Sequence, residues 1–253
     1  MYSAQTVETA LVLSSCGVLD RENAQICRVS IGAIRHWRSG TRRNPANRRR
    51  PSHCPRCDGE VLDSAPYAYL LGLYLGDGCL TKRRKGVYVL NVACCNDWPG
   101  LMNAAQVAMS AVMPASSVWR VAQQGCTSVN SSSKHWPCLF PQHGPGRKHN
   151  RPIVLEPWQL EIVEEFAGEF ARGLFHSDGC RFTNRVRRPL ASGDRWYEYP
   201  RYMSTNESAD IRALCCEALD RLGVACRYSR RNTISVARRE SVARLDEFVG
   251  PKY

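Results

Sequence analysis

The chain has 253 residues, 43% of them hydrophobic, and a formal net charge of +12. That length and apolar content can bury one large core or two smaller ones, which excludes a wholly disordered chain. No apolar run approaches the roughly 18 residues of a membrane span, which excludes an integral helical membrane protein.

The 13 cysteines are odd in number and irregularly spaced. Two pairs are adjacent, Cys94–Cys95 and Cys215–Cys216, so no secreted disulfide framework is read. Glu8 and the absence of a basic stretch before Ala10–Leu13 give no signal-peptide pattern. The expectation is a soluble, reduced, cytoplasmic protein. The positive surplus favours phosphate backbones, and double-stranded DNA is the expected partner. A basic protein without a nucleic-acid role is the competing reading. Arginine carries most of this charge, the lysines being only Lys82, Lys85, Lys134, Lys148 and Lys252.

In chain order, residues 1–41 read as short helices. Asp20–Cys27 forms one, Arg28 and Val29 a turn, and Ser30 an N-cap that opens Ile31–Arg38. Ala24, Val29, Ile34 and Trp37 make a small core. The segment resembles a helix-turn-helix of the regulator and resolvase type. Ser30, Arg35, His36 and Arg38 are then its DNA-contact candidates. A generic helical hairpin is the alternative. Residues 42–64 read as a basic linker with Pro45, Pro51 and Pro55. Its Arg48, Arg49 and Arg50 suit tracking along phosphates or serve as a solvated tether. Cys54-Pro55-Arg56-Cys57, with His53 beside it, is half of a structural zinc site. Zinc there is the less favoured reading, because Cys94 and Cys95 complete it only if the fold brings them near.

From Ala65 onward a coarse duplication runs through two segments, 65–150 and 151–253. Tyr67–Asp77 and Phe166–Asp178 are apolar helical stretches, each ending in Asp-Gly and offset by 101 residues (178 − 77). After the first come a strand at Val87–Ala93, a helix at Leu101–Met113 and strands at Val118–Ala122 and Thr127–Ser131. After the second come strands at Arg181–Val186 and Arg201–Thr205 and a helix at Ala209–Leu222. Strands at Cys226–Ser229 and Thr233–Ala237 and a helix at Glu240–Val249 complete it. His135, Cys138, His143 and His149 fall in a Pro/Gly-rich stretch that reads as the connection between halves, with metal binding there the less favoured reading.

Leu70–Gly78 is apolar all round, which predicts a buried helix. Yet it holds Gly72 and Gly76 on one face, each costing about 1 kcal/mol relative to alanine. Ala171–Gly179 repeats the device with Gly173 and Ser177. Small residues at i and i+4 in both predict close backbone approach between the two helices. Their C-terminal ends then meet, bringing Asp77 and Asp178 together. Helix dipoles and mutual repulsion disfavour both carboxylates there, and a divalent cation such as Mg²⁺ relieves both penalties. Gly78 and Gly179 are expected to supply helix-ending conformations. Two core helices with plain turns are the alternative.

These residues resemble the LAGLIDADG homing endonucleases. Leu70, Gly72, Leu73, Asp77 and Gly78 match the nine-residue motif in the first copy, and Gly173, Leu174, Asp178 and Gly179 in the second. The resemblance covers roughly residues 65–253. It implies an α+β, pseudo-twofold monomer of two αββαββα halves whose curved antiparallel sheets form a basic saddle over DNA. It also implies Mg²⁺-dependent, staggered double-strand cleavage, with Asp77 and Asp178 as catalytic metal ligands. A basic residue near the site from a late strand is implied as well, for which Lys134, Arg230 and Arg231 are candidates. Tyr88, Arg120, Arg181, Arg185, Arg187, Tyr202 and Arg227 are the saddle contacts expected from alternation. The chain departs from the motif at its sixth position, where Leu75 and His176 replace aspartate. A DNA-binding regulator without cleavage activity, and more remotely an RNA-processing factor, are the other functions this scaffold allows.

Overall fold

A computed structural model describes residues 2–40, 52–191, 193–250 and 252. Arg48, Arg49 and Arg50 of the expected linker lie outside them. The chain divides into two compact units, Met1–Ser52 and His53–Tyr253.

The first unit holds α1 (Ala4–Ser15), α2 (Asp20–Ile26) and α3 (Ile31–Arg38). Ser30 caps α3, its Oγ accepting from the Ala33 amide at 3.2 Å. Val7, Ala10, Ala24, Ile34 and Trp37 form the core, with Val29 packed against it. Asn23 is buried with them, and its Nδ2 donates to Ala10 O at 2.7 Å and Ser14 Oγ at 2.9 Å. These bonds satisfy an amide that would otherwise be costly inside a core this small. Gly32, in the first turn of α3, has nothing nearer a notional Cβ than Ser30 Oγ at 3.9 Å. Gly32→Ala is therefore expected to stabilise this unit by up to about 1 kcal/mol. The check is hydrogen exchange, in which the Ile34 amide should slow by roughly fivefold.

In the second unit, α4 (Pro55–Asp58) is followed by α5 (Ser64–Leu75), β1 (Gly78–Lys82) and β2 (Tyr88–Cys95). Next come α6 (Pro99–Val112), β3 (Val118–Gln123), β4 (Cys126–Ser133) and α7 (Trp136–Leu139). After α8 (Pro157–Glu165) the order repeats as α9 (Ala167–Asp178), β5 (Gly179–Leu190), β6 (Gly193–Thr205) and α10 (Ala209–Arg221). It closes with β7 (Arg227–Arg230), β8 (Thr233–Val236) and α11 (Arg239–Asp246). Both antiparallel sheets have the same topology, β1-β2-β4-β3 and β5-β6-β8-β7. The expected pair of αββαββα halves is the architecture observed.

One core joins the halves, centred on α5, in which every residue from Tyr67 to Leu75 is buried. Leu90, Val92 and Val129 of the first sheet and Tyr202, Ile234 and Val236 of the second turn into that core. Strand alternation then puts the intervening residues on the opposite, open face of each sheet.

The turns after α5 and α9 differ from expectation in their physics. Neither Gly78 nor Gly179 has a positive φ, and Gly179 is extended (φ −105, ψ 163). They are glycines for want of space. A Cβ on Gly78 would lie 2.5 Å from Tyr74 Cα, and one on Gly179 would lie 2.7 Å from Phe175 Cα. The first strand of each sheet folds straight back over its own helix.

The CxxC segment also differs from the expected linker. Cys54 and Cys57 meet His135, the N-cap of α7, and Cys138 within it, rather than Cys94 and Cys95 of β2. His135 and Cys138 thus belong to a packed cluster and not to a bare connection.

Candidate active site

The backbones of α5 and α9 touch where both sequences place glycine. A Cβ added to Gly72 would stand 2.5 Å from Phe170 O, and one on Gly173 would stand 2.2 Å from Tyr69 O and 2.9 Å from Gly72 Cα. Helix axes this close are reached only through small residues. One turn further on, Gly76 faces Ser177, whose Oγ turns back to the carbonyls of Gly173 (3.1 Å) and Leu174 (3.0 Å). The hydroxyl thereby satisfies itself on its own helix and leaves room for its partner.

That contact carries Asp77 and Asp178 to one cleft of about 490 Å³. Lys148, Asn206, Glu207, His143, His149 and Arg147 also line it. Asp178 is half-buried, while Asp77 opens to solvent. Asn206 Nδ2 donates to Asp178 Oδ2. Among the described residues, no hydrogen-bond donor is seen on the Asp77 carboxylate. Removal from water pushes both acids above the usual carboxylate range, Asp178 to about 6, with the Asp77 charge adding to the effect. Two under-coordinated carboxylates at helix C-termini form a hard-oxygen donor set that suits Mg²⁺ or a similar divalent ion.

Lys148 and Lys252 complete the surroundings of the acids. Lys148 Nζ donates to the carbonyls of Tyr74, Gly76 (2.5 Å) and Gly78 (2.8 Å). It therefore caps the negative end of α5. Burial lowers it to about 8, against the pull of Asp178 and Asp77. Lys252 Nζ donates to Gly179 O at 2.6 Å. Gly78 and Gly179 are equivalent in the duplication, so the two lysines are equivalent too. Sequence reasoning named Lys134, Arg230 and Arg231 for this role and missed both. Lys134 is exposed and Arg231 pairs with Glu207 at 3.2 Å, and neither lines the cleft. A signal was available: Lys148 comes 71 residues after Asp77 and Lys252 comes 74 after Asp178 (148 − 77 and 252 − 178).

Of the sixth motif positions, His176 turns into the core, while Leu75 is buried and also borders the cleft. Leu75 is fully buried, and His176 is clasped between Tyr69 Oη on Nδ1 and Val249 O on Nε2, both at 3.0 Å. Burial lowers His176 to about 4, so it is neutral, donating from Nε2 and accepting at Nδ1. With leucine at position 75, the acids that line the cleft are Asp77, Asp178 and Glu207.

The arginines expected on the saddle divide by face. Arg120 donates to Gln106 Oε1 (3.0 Å) and Asn103 Oδ1 (2.6 Å) of α6, on the helix side of its sheet. Arg181 is tied to Asp246 of α11 by two bonds of 2.7 and 2.9 Å. Arg185 and Arg187 follow Arg181 by alternation and pair with Glu198 and Asp194. The open face of the second sheet carries the expected Arg227 and, beside it, Arg188, Arg195 and Arg201 with Tyr197 and Tyr199. That of the first sheet is neutral, with Thr81, Asn91, Asn130 and Gln123 around Trp119. In the first unit, Arg35 and Arg38 both reach Asp20, at 3.2 and 2.7 Å, while His36 is exposed on α3.

Glycine-notched helices in backbone contact, each ending in an aspartate and each followed by the same ββαββα order, decide the architecture. The chain has the LAGLIDADG fold. Among solved structures it is similar to the homing endonuclease I-DmoI in complex with DNA and manganese, at 15% identity over 75% of this chain and 98% of that one, with a TM-score of 0.47. It is also similar to the LAGLIDADG meganuclease I-AabMI bound to uncleaved DNA, at 11% identity over 72% and 82% of the two chains, TM-score 0.46. A third is the N-terminal LAGLIDADG domain of DUF199/WhiA, at 11% identity over 80% and 89%, TM-score 0.45. No protein-family model matches the sequence, and no curated protein matches it.

Proposed function

We propose that the chain is a site-specific DNA endonuclease that depends on a divalent cation, Mg²⁺ by preference, and makes a staggered double-strand cut. The observation that carries this reading is the convergence of Asp77 and Asp178 on one cleft through the Gly72–Gly173 backbone contact. Asp77 and Asp178 would hold the cation, which when bound supplies a nucleophilic water at neutral pH and Lewis-acid neutralisation of the phosphate.

The chain's own residues do the rest. Asn206 fixes the rotamer of Asp178 through its amide. Lys148 keeps a positive charge beside both acids and stabilises negative charge developing on a leaving oxygen. The arginines on the open face of the second sheet hold phosphates, and the amides and hydroxyls of the first sheet read base edges. The exposed face of α3, with Ser30 and His36, adds a second DNA contact of the helix-turn-helix kind.

The test is cleavage of a plasmid library of random target sites with Mg²⁺ and with chelator. Cutting in Mg²⁺ alone at a restricted set of sites is the expected result. Tight binding with no cutting of any site in Mg²⁺ or Mn²⁺ would overturn the nuclease and leave the alternative, a transcriptional regulator on the same scaffold. The helical N-terminal unit, with its exposed α3 face, favours that second reading. On a cleaved site, Lys148→Met is expected to slow single-turnover cleavage by about 10²- to 10³-fold. DNA affinity should change little, because the ammonium is turned onto main-chain carbonyls.

A further inference from the structure

The strongest feature outside the cleft is the cluster of Cys54, Cys57, His135 and Cys138, whose four ligand-type atoms all lie within 4.8 Å of one another. We infer that these residues form a structural zinc site, which ties the segment before α5 to the turn after β4.

The geometry is specific. A tetrahedral zinc with Zn–S near 2.3 Å and Zn–N near 2.0–2.1 Å has S···S edges of about 3.8 Å and S···N edges of about 3.5 Å. Here Cys57 Sγ lies 3.6 Å from Cys138 Sγ and 3.4 Å from His135 Nδ1. Cys138 Sγ lies 3.8 Å from the same nitrogen. These three atoms thus already stand at the edge lengths of one face of such a tetrahedron, and Cys54 Sγ lies within 4.8 Å of each.

The two ligand pairs are built alike. Cys54-Pro55-Arg56-Cys57 and His135-Trp136-Pro137-Cys138 each place ligands three residues apart on a single helical turn with proline in its first two positions. Ligands at i and i+3 of such a turn share one face. The first pair is also pre-organised as a knuckle. The amides of Cys57 and Asp58 donate to Cys54 O at 3.0 and 2.9 Å, and Gly59 at φ +70 turns the chain away just after Asp58. Four soft or borderline donors with no free position select zinc and a structural role over a catalytic one.

The position in the fold says what it fastens. Beside Cys57, Arg56 lies over the Trp158 ring of α8, 4.5 Å from its centroid. At the other end of α7, Leu139 O accepts from Tyr67 Oη of α5 at 2.6 Å, and Gln159 of α8 donates to the same hydroxyl at 2.6 Å. The site thus closes a loop of 78 residues between Cys57 and His135 around the first half, against the helix that bears Asp77.

The test uses the full reduced chain and Co²⁺ as probe. One equivalent is expected to give the near-ultraviolet thiolate-to-metal charge-transfer band and visible bands of a tetrahedral thiolate site, and Zn²⁺ should bleach them. Because Cys79 lines the aspartate cleft, Cys79→Ser is measured beside the parent and should leave the band unchanged. His135→Ala and Cys57→Ser should weaken Zn²⁺ binding by at least about tenfold. Cys216→Ser, in the other close thiol pair (Cys226 Sγ to Cys216 Sγ, 3.7 Å), should leave it unchanged. If Cys57→Ser fails to fold, His135→Cys still decides, because it should retain the metal with a stronger charge-transfer band. A parent chain that gives no such band would overturn the site, as would a band that survives His135→Ala and Cys57→Ser unaltered. Either failure leaves the nuclease reading untouched, since it rests on other residues.

Discussion

Asp178→Asn is expected to slow cleavage of a cognate site by about 10³-fold or more, a loss of roughly 4 kcal/mol of transition-state stabilisation. DNA affinity should stay within a few-fold and the fold should be no less stable. The substitution is close to isosteric and leaves an oxygen to accept from Asn206 Nδ2. What it removes is the half-buried negative charge at the C-terminus of α9, facing Asp77. Desolvation and the neighbouring Asp77 charge push Asp178 up to about 6, and the helix dipole disfavours the charge as well. Its removal should raise stability by about 1 kcal/mol in metal-free buffer, the usual exchange of stability against function at an acidic site. Asp77→Asn should lose as much activity but gain less stability, because Asp77 is solvent-exposed. Single-turnover cleavage beside chelator-treated thermal melts checks both halves. Cleavage at the parental rate in either variant would sink the assignment. Melting well below the parent would mean that these acids hold the fold rather than a cation.

The site was legible in the sequence wherever a residue type was chosen by close approach. Gly72 and Gly173 are costly in a helix, so their spacing reported a backbone contact that any larger side chain would forbid. The Asp-Gly ends followed from it. The lysines were marked only by their similar offsets from the two aspartates, because Lys148 and Lys252 lie in segments whose course no periodicity marks. The zinc-type cluster was half visible. Cys54 and Cys57 share a turn, but their partners come from a segment 78 residues away that reads as loop composition. The adjacent Cys94–Cys95 pair was a decoy, since strand alternation sends Cys94 into the core and Cys95 to the open face.

Strand extents were missed for a related reason. The hairpin of β5 and β6 runs over Gly179–Leu190 and Gly193–Thr205, well beyond the expected Arg181–Val186 and Arg201–Thr205. Its outer part is exposed on both faces and shows no apolar alternation, and pairs such as Arg185–Glu198 and Arg187–Asp194 line it in place of a core. β1 was missed because Leu80 is its only large apolar residue and the basic run from Lys82 masks the rest. The face of each arginine depended on register, which one residue of slip reverses. Arg181 lies opposite Tyr202, a core residue, so its set turns toward the helices and the even-numbered set turns outward.

Gly173→Ala should do more damage than any conservative exchange elsewhere in the core. Its Cβ would meet only main-chain atoms: Tyr69 O at 2.2 Å, Gly72 Cα at 2.9 Å and Leu73 N at 3.0 Å. No rotamer change relieves such contacts, so α5 and α9 must separate along their length, and every residue packed across them loses contact. Overpacking costs about 1–3 kcal/mol where side chains yield, and more where only backbone can move. The helix propensity gained by alanine returns about 1 kcal/mol at most. A net loss near 3 kcal/mol lowers the melting temperature of a unit this size by roughly 6–12 °C. Ser177→Ala is the matched control. It keeps the Cβ that already fits against Gly76 and deletes only a hydroxyl bonded to its own helix, so it should stay within about 0.5 kcal/mol of the parent. The two exchanges lie one helical turn apart on the same face. A large effect at 173 with almost none at 177 is therefore the signature of a backbone contact at the glycines. Because that contact sets where Asp77 and Asp178 stand, Gly173→Ala should also lose cleavage at temperatures where it remains folded. A variant that melts like the parent would mean that the helices do not touch there, and the shared cleft would go with them.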